Sequence, residues 1–404
     1  MRTAKLISTK PLLLGACVIC WAVSSLLGAD RTVAIQGGDL YTITSGVIRD
    51  GVILIDNGRI SAIGQHLEIP RNARVIDARG KVVMPGLVAA TAYGVADSRA
   101  SGKIGESLDP FHQNLSLALA SGITCMYTTS RGTNAVIKPT VADLDAMLVR
   151  EPAVINVDFG AGQWVSRNDL KQNLRKAREY LRKLDAYRQA KDKSNLAEPR
   201  KPSGADQYIR LLNHEMPARL RATTTAEILS VLELVDEFDI EIIIEGAIEA
   251  WTVAEQIAKR DVRLIIAPRD KRRPNDYIST PSGSTLKNAA VLDKAGVKFA
   301  IVPTSPSFTT WGIAGRDLMA LPMEAAFAVS GGLDEHTALE TITIHAAGIL
   351  GVADRLGSLQ PGKDADIIIL DGHPFHYKTF VQTTIIAGKV LYEKDKSTYF
   401  SHIK

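Results

Sequence analysis

The sequence predicts an α/β chain in which a body of alternating strands and helices carries a second, β-rich unit assembled from both chain ends. Three observations carry this reading. Short apolar stretches recur at 123–128, 153–157, 240–244, 262–267 and 297–302, as expected of strands buried on both faces. Helical segments at 225–237, 250–260 and 285–295 separate several of them, which is the βα alternation of a parallel sheet or barrel. Runs of β-branched residues punctuated by glycine cluster at the two ends.

At the front, Val33-Ala-Ile-Gln, Leu40-Tyr-Thr-Ile, Gly51-Val-Ile-Leu-Ile-Asp and Arg59-Ile-Ser-Ala-Ile read as short strands. Gly37-Gly38, Asp50-Gly51 and Asn57-Gly58 separate them. Asn-Gly between apolar runs favours a tight hairpin, because both central residues must take positive φ. The far end repeats the texture at 365–371, 381–387 and 388–392. In the body, 168–193 aligns Leu170, Leu174, Ala177, Leu181 and Leu184 on one face and is heavily cationic elsewhere, so it reads as a long amphipathic surface helix. Interspersed Glu179, Asp185 and Asp192 favour a solvated face over an anionic partner.

With 404 residues, 46% hydrophobic and 23% charged, the chain suits one large globular domain or two smaller ones, which excludes disorder, collagen and a disulfide scaffold. The formal charge of +4 includes Arg2, Lys5 and Lys10, and without residues 1–29 it falls to +1. A near-neutral body argues against a nucleic-acid surface, which needs clustered cations. Residues 11–29 are free of charge and end in small residues before Asp30, so 1–29 is expected to be an export signal, giving a periplasmic or secreted product. An uncleaved N-terminal anchor is the alternative, and the only route to a membrane. Cys17 and Cys20 lie in that segment, leaving Cys125 as a core thiol without an internal disulfide.

Two long motifs then stand out. Val75-Ile-Asp-Ala-Arg-Gly-Lys-Val-Val-Met-Pro-Gly-Leu-Val88 comes before the body. Leu339-Glu-Thr-Ile-Thr-Ile-His-Ala-Ala-Gly-Ile-Leu-Gly-Val, followed by Gly357-Ser-Leu-Gln-Pro-Gly-Lys-Asp-Ala-Asp-Ile-Ile-Ile-Leu, comes after it. With Ile244-Glu-Gly-Ala-Ile-Glu-Ala-Trp251 between them, the chain resembles the amidohydrolase superfamily, in particular its imidazolonepropionase-like and dihydroorotase-like branch. The resemblance implies a distorted (β/α)8 barrel over 85–355, a composite β-sandwich from 30–84 plus 356–396, and a tail at 397–404. It also implies hydrolysis of non-peptide C–N bonds in cyclic amides, with zinc or another divalent metal at the barrel mouth lowering the pKa of bound water.

The family's ligand positions are degenerate here. After Pro85-Gly86-Leu87-Val88, where relatives place Asp-x-His-x-His, stand Ala89, Thr91 and Tyr93. Arg221 stands before Ala222 where a histidine is expected, Gly246-Ala247 replaces His-Gly, and Thr304 replaces an aspartate. A guanidinium has no lone pair to give and repels a cation. Of the histidines, His66, His112, His214, His336 and His402 fall away from these positions, and His345 stands where relatives usually have asparagine. His373 and His376 form an i, i+3 pair in the β-unit, where solvated loop histidines are the commoner case. There is no Gly-x-Ser-x-Gly, no Gly-x-x-x-x-Gly-Lys-Ser/Thr and no His-Glu-x-x-His.

Thr91, Tyr93, Arg221, Glu245 and Thr304 are therefore expected to line the mouth, with no metal or other cofactor. Asp97, Arg99 and Glu106 either join them or form a solvated loop. The primary expectation is a non-catalytic relative that binds a small anionic or amide ligand, or serves as a partner subunit in a homo- or hetero-oligomer with a related amidohydrolase. The alternative is an exported hydrolase with a displaced, metal-free site, in which Glu245 or Asp97 acts as base and Arg221 steadies an oxyanion.

Overall fold

The computed structural model describes residues 32–96, 103–130, 133–157, 164–190, 197–275, 277, 279–308, 315–398 and 400–402. The 1–29 segment, Asp97, Arg99 and Asp192 lie outside them.

Strands from both ends share one eight-stranded sheet. Its order runs Lys389–Glu393, Val381–Ile386, Ile367–Leu370, Val82–Pro85, Val33–Tyr41, Val47–Asp56 and Arg59–Gly64, with Arg74–Asp77 also paired to Val33–Tyr41. The two ends meet where Ile367–Leu370 runs antiparallel to Val82–Pro85, Ile369 opposite Val83. Ile35, Ile53, Val83, Ile367 and Ile385 are buried together beneath it, the alternate-residue pattern of one covered face.

Asn57 and Gly58 take φ of 49° and 75° and close the expected hairpin. Asp50-Gly51 does not turn the chain; it lies inside Val47–Asp56, opposite Gly38, where the pairing shifts register. The glycines here make a bulge, and the two strands expected at 33–36 and 40–43 are one bent strand, Val33–Tyr41.

The body holds a five-stranded parallel sheet in the order Ile155–Val157, Ala218–Ala222, Ile242–Gly246, Arg263–Ile266, Phe299–Ile301. A second sheet starts with Leu87–Ala92 parallel to Ile123–Ser130 and continues antiparallel into Thr133–Ile137 and Leu148–Arg150. The two sheets meet at both margins. Tyr93 bridges Ser307 in parallel on one side. On the other, Tyr127 Oη donates to Asn156 Oδ1 (2.9 Å) and Asn134 Nδ2 donates to the Val154 carbonyl (2.9 Å). The result is a distorted (β/α) barrel, interrupted by the antiparallel pair that periodicity had not suggested.

The helices packed outside it differ from expectation at their ends. Thr225–Phe238 begins at a capping box formed by Thr224 and Glu227. The segment expected as one helix over 250–260 breaks into Ala250–Thr252 and Ala254–Ala258, because Val253 is non-helical and Trp251 Nε1 is tied to the Gly283 carbonyl. Asn288–Lys294 starts three residues later than expected, since the Thr285 hydroxyl takes the Lys287 N–H in a local turn. The long helix is Trp164–Gln189 rather than 168–193. Leu170, Leu174, Ala177 and Leu184 are its buried stripe, and Lys171 and Arg175 pair with Glu237 of the neighbouring helix. Among the described residues no helix is long and apolar enough to cross a membrane.

A buried charge cluster joins the sheet to the barrel. Lys138 Nζ lies 2.9 Å from both Asp364 and Asp366, and Arg355 reaches Asp364 at 2.7 Å.

Candidate functional site

A cavity of about 360 Å³ opens at the C-terminal ends of the barrel strands, the end at which barrels of this class carry their sites. Tyr93, Tyr127, Asn156, Arg219, Arg221 and Glu245 face it. Strand periodicity explains the arginine pair: residues 219 and 221 point to the same side of Ala218–Ala222, while Ala218, Leu220 and Ala222 join the apolar core.

Sequence reasoning named Arg221 and missed Arg219, which is the central residue. Arg219 is 4% exposed and its guanidinium spans three strands. Nη1 donates to the Ala90 carbonyl (2.9 Å), Nη2 to the Thr91 hydroxyl, and Nε to Glu245 Oε2 (3.2 Å). Its Cζ sits 4.1 Å above the Tyr127 ring. The signal available in the sequence was Ala-Arg-Leu-Arg-Ala itself, two cations at a spacing of two in an otherwise apolar strand. Glu245 is opposite Arg221 in the strand register, yet its carboxylate is taken by Arg219.

Of the other expected lining residues, Thr91 is fully buried beneath the cavity as a partner of Arg219. Tyr93 is 41% exposed at the rim. Burial and the nearby Glu245 carboxylate push its phenol above the ordinary range. Thr304 is half-buried on the loop after Phe299–Ile301 and is not among the residues facing the cavity. Glu106 is exposed on the short helix Ile104–Ser107, also away from it. Among the described residues Arg221 has no hydrogen bond or ion pair. Asp270 feels its charge, yet burial holds that carboxyl above the usual aspartate range against the pull of Arg221.

The rest of the rim is tied up. Arg269 pairs with the fully buried Glu324 (2.6 Å). Glu249, which the sequence reading did not single out, accepts from Arg272 Nε (2.9 Å) and from the Thr225 and Gly283 N–H groups. These pairs hold the strand-to-helix loops in place.

The residues at the family's metal positions do not fit a divalent ion. They offer methyl, hydroxyl, phenol and guanidinium groups, and among the described residues no three His, Cys, Asp or Glu side chains gather as ligands. A buried arginine on Thr91 and Glu245 places a fixed positive charge where such an ion would require donors. The histidines have local roles. His112 caps the helix Gln113–Ala120. His373 lies 2.8 Å from Glu335, and His376 stacks on Tyr377 instead of facing His373. Cys125 is buried, and desolvation pushes its thiol up to about 12, so it is a core residue and not a nucleophile.

Comparison with known proteins agrees with the fold. The model of the Amidohydrolase family matches residues 221–391. An imidazolonepropionase of Vibrio cholerae is 24% identical over 92% of this chain and all of its own length. Among solved structures, an amidohydrolase from Thermotoga maritima superposes with a TM-score of 0.75 at 23% identity, over 89% of this chain and all of that one. A putative prolidase from Bifidobacterium longum superposes at 0.57 with 17% identity, over 91% of this chain and 96% of that one. Barrel, shared terminal sheet and the motifs at both barrel boundaries thus point the same way: the chain has the amidohydrolase fold, matches the Amidohydrolase family model over 221–391 and is similar to imidazolonepropionase along most of its length.

Proposed function

We propose that the chain is an exported, non-catalytic member of the amidohydrolase superfamily that binds a small molecule at the barrel mouth without a metal. The observation that carries the reading is Arg219, whose buried guanidinium is neutralised by Glu245 and fixed on Thr91 and the Ala90 carbonyl. Hydrolysis of an amide needs a nucleophilic water and a group to take its proton. Glu245, the carboxylate best placed for that, spends its charge on Arg219. Asp97, the other candidate base, lies outside the described residues. What is left is a cleft with polar donors and a volume suited to a metabolite. Service as a partner subunit to an intact relative fits the same features and would show as a stable complex in mixtures of the two. The charge-free stretch at 11–29 after three cations supports export.

Metal quantification on the purified chain, paired with a panel of cyclic imides and amides, tests the reading. The expected result is no stoichiometric metal and no turnover. Stoichiometric zinc, iron or manganese together with hydrolysis of any member of the panel overturns it.

A further inference from the structure

Charge is nearly balanced around the mouth. Arg219 is matched by Glu245 and Arg269 by Glu324. Arg221 alone stands in the cavity without a hydrogen bond or ion pair among the described residues. The Glu245 carboxylate, its neighbour in the strand register, is already taken by Arg219, and Asp270 is near enough to feel the charge of Arg221 without pairing with it. The Tyr93 hydroxyl shares the cavity with Arg221, near enough to feel its charge, and it too has no hydrogen-bond partner among the described residues. The Asn156 amide donates only a long 3.4 Å contact to Thr129 and faces the same space. These are under-used donors, gathered around one arginine that no described side chain pairs with.

We infer that the mouth binds a small monocarboxylate, with Arg221 forming a paired contact to the carboxylate and Tyr93 donating its hydroxyl to the same group. The planar fork of a guanidinium matches the two oxygens of a carboxylate. A site built of donors rejects a neutral isostere, because its own groups would be left unpaired. The cavity volume of about 360 Å³ admits a body of metabolite size and not a macromolecule. Two residues along the strand from Arg221, Arg219 is the buried floor beside it: its charge is matched by Glu245 and its guanidinium is held by Thr91 and the Ala90 carbonyl. This inference rests on the reading of the site as metal-free, and it adds the ligand's chemical class and the residue that recognises it.

The test is calorimetric titration of the full chain with benzoate, with benzamide as the neutral isostere, on preparations whose metal content is measured in parallel. Saturable benzoate binding is expected, weakening as ionic strength rises, with benzamide weaker by about tenfold or more. Arg221→Gln should weaken benzoate by about tenfold or more while leaving the thermal midpoint unchanged, since its side chain lies exposed in the cavity. Tyr93→Phe should give a smaller loss. Equal binding of benzoate and benzamide, or Arg221→Gln binding benzoate as the parent does, overturns the inference. So does a wild-type chain with no saturable benzoate binding below about 10 mM. Stoichiometric metal with hydrolysis in the same preparation would sink the metal-free reading instead, and the Arg221→Gln comparison would still report separately on carboxylate recognition.

Discussion

His345 shows how one side chain sets a property of the whole. It is mostly buried behind the barrel, its Nδ1 has no hydrogen-bond partner, and its Nε2 lies 3.7 Å from Glu340. Desolvation, helped by Lys298, drops its pKa to about 4 from the usual 6.5. Between those values the unfolded chain holds a proton that the folded chain refuses, so the contribution to stability is intact above about pH 6.5 and is lost as pH falls toward 4. The loss between neutrality and pH 5 is about 2 kcal/mol. Replacing His345 by Asn should flatten urea-unfolding free energies over that interval; a variant with the parent's pH slope would refute the assignment. Arg219 illustrates the opposite case, a buried charge that is fully partnered. Changing it to Met leaves Glu245 unmatched and should cost about 3 kcal/mol in the same assay, with much of the loss recovered in the Arg219→Met, Glu245→Gln double variant. No recovery would mean that the pair is not coupled.

At the scale of elements, the glycines separate turns from contacts. Gly58 has φ of 75°, and an added Cβ would lie 2.8 Å from the Ala387 carbonyl oxygen; Gly362 has φ of 91° with open space around it. Gly362→Ala should therefore cost only the left-handed backbone penalty, about 1 kcal/mol, whereas Gly58→Ala should cost at least about 2 kcal/mol, clash included. Thermal midpoints of the two variants check this, and equal losses would argue against the contact. The same packing explains why the long motifs were legible in the sequence. Gly86 faces Thr124, whose Oγ1 would be 2.0 Å from an added Cβ. Lys363 threads inward to the Ala353 and Leu356 carbonyls and the Ser358 hydroxyl. Such positions tolerate few substitutes, so the residues announce the fold. The bulge opposite Gly38, the split after Ala250 and the later start of Asn288–Lys294 were not legible, because each depends on a contact with a distant segment or a local turn that periodicity does not encode. The mouth was half legible: Arg221, Tyr93 and Glu245 face the cavity as expected, but Thr91 lies buried beneath it, burial chose Arg219 for the centre, and Thr304 stands on a loop away from the cavity.

At the scale of the molecule, the sheet and the barrel are joined through Lys138, Asp364, Asp366 and Arg355. Burial opposes the Lys138 ammonium, but Asp366 and Asp364 outweigh it and hold its pKa above the usual value, while burial raises Asp366. Removing the cation strands the buried Asp366 and leaves Asp364 with Arg355 as its remaining cation. Lys138→Met should therefore lower unfolding stability by about 3–5 kcal/mol, and a loss under about 1 kcal/mol would show that the cluster is not what couples the two parts. The sheet has one more consequence. Val82–Pro85 finds its neighbour Ile367–Leu370 only after roughly 280 further residues have been made. At cellular elongation rates this is a wait on the order of tens of seconds. During synthesis the leading strands must sit with one hydrogen-bonding edge open, a template for stray pairing, until Ile367–Leu370 has been made. A nascent chain stalled shortly before codon 367 should accordingly recruit chaperones far more than one released after codon 393.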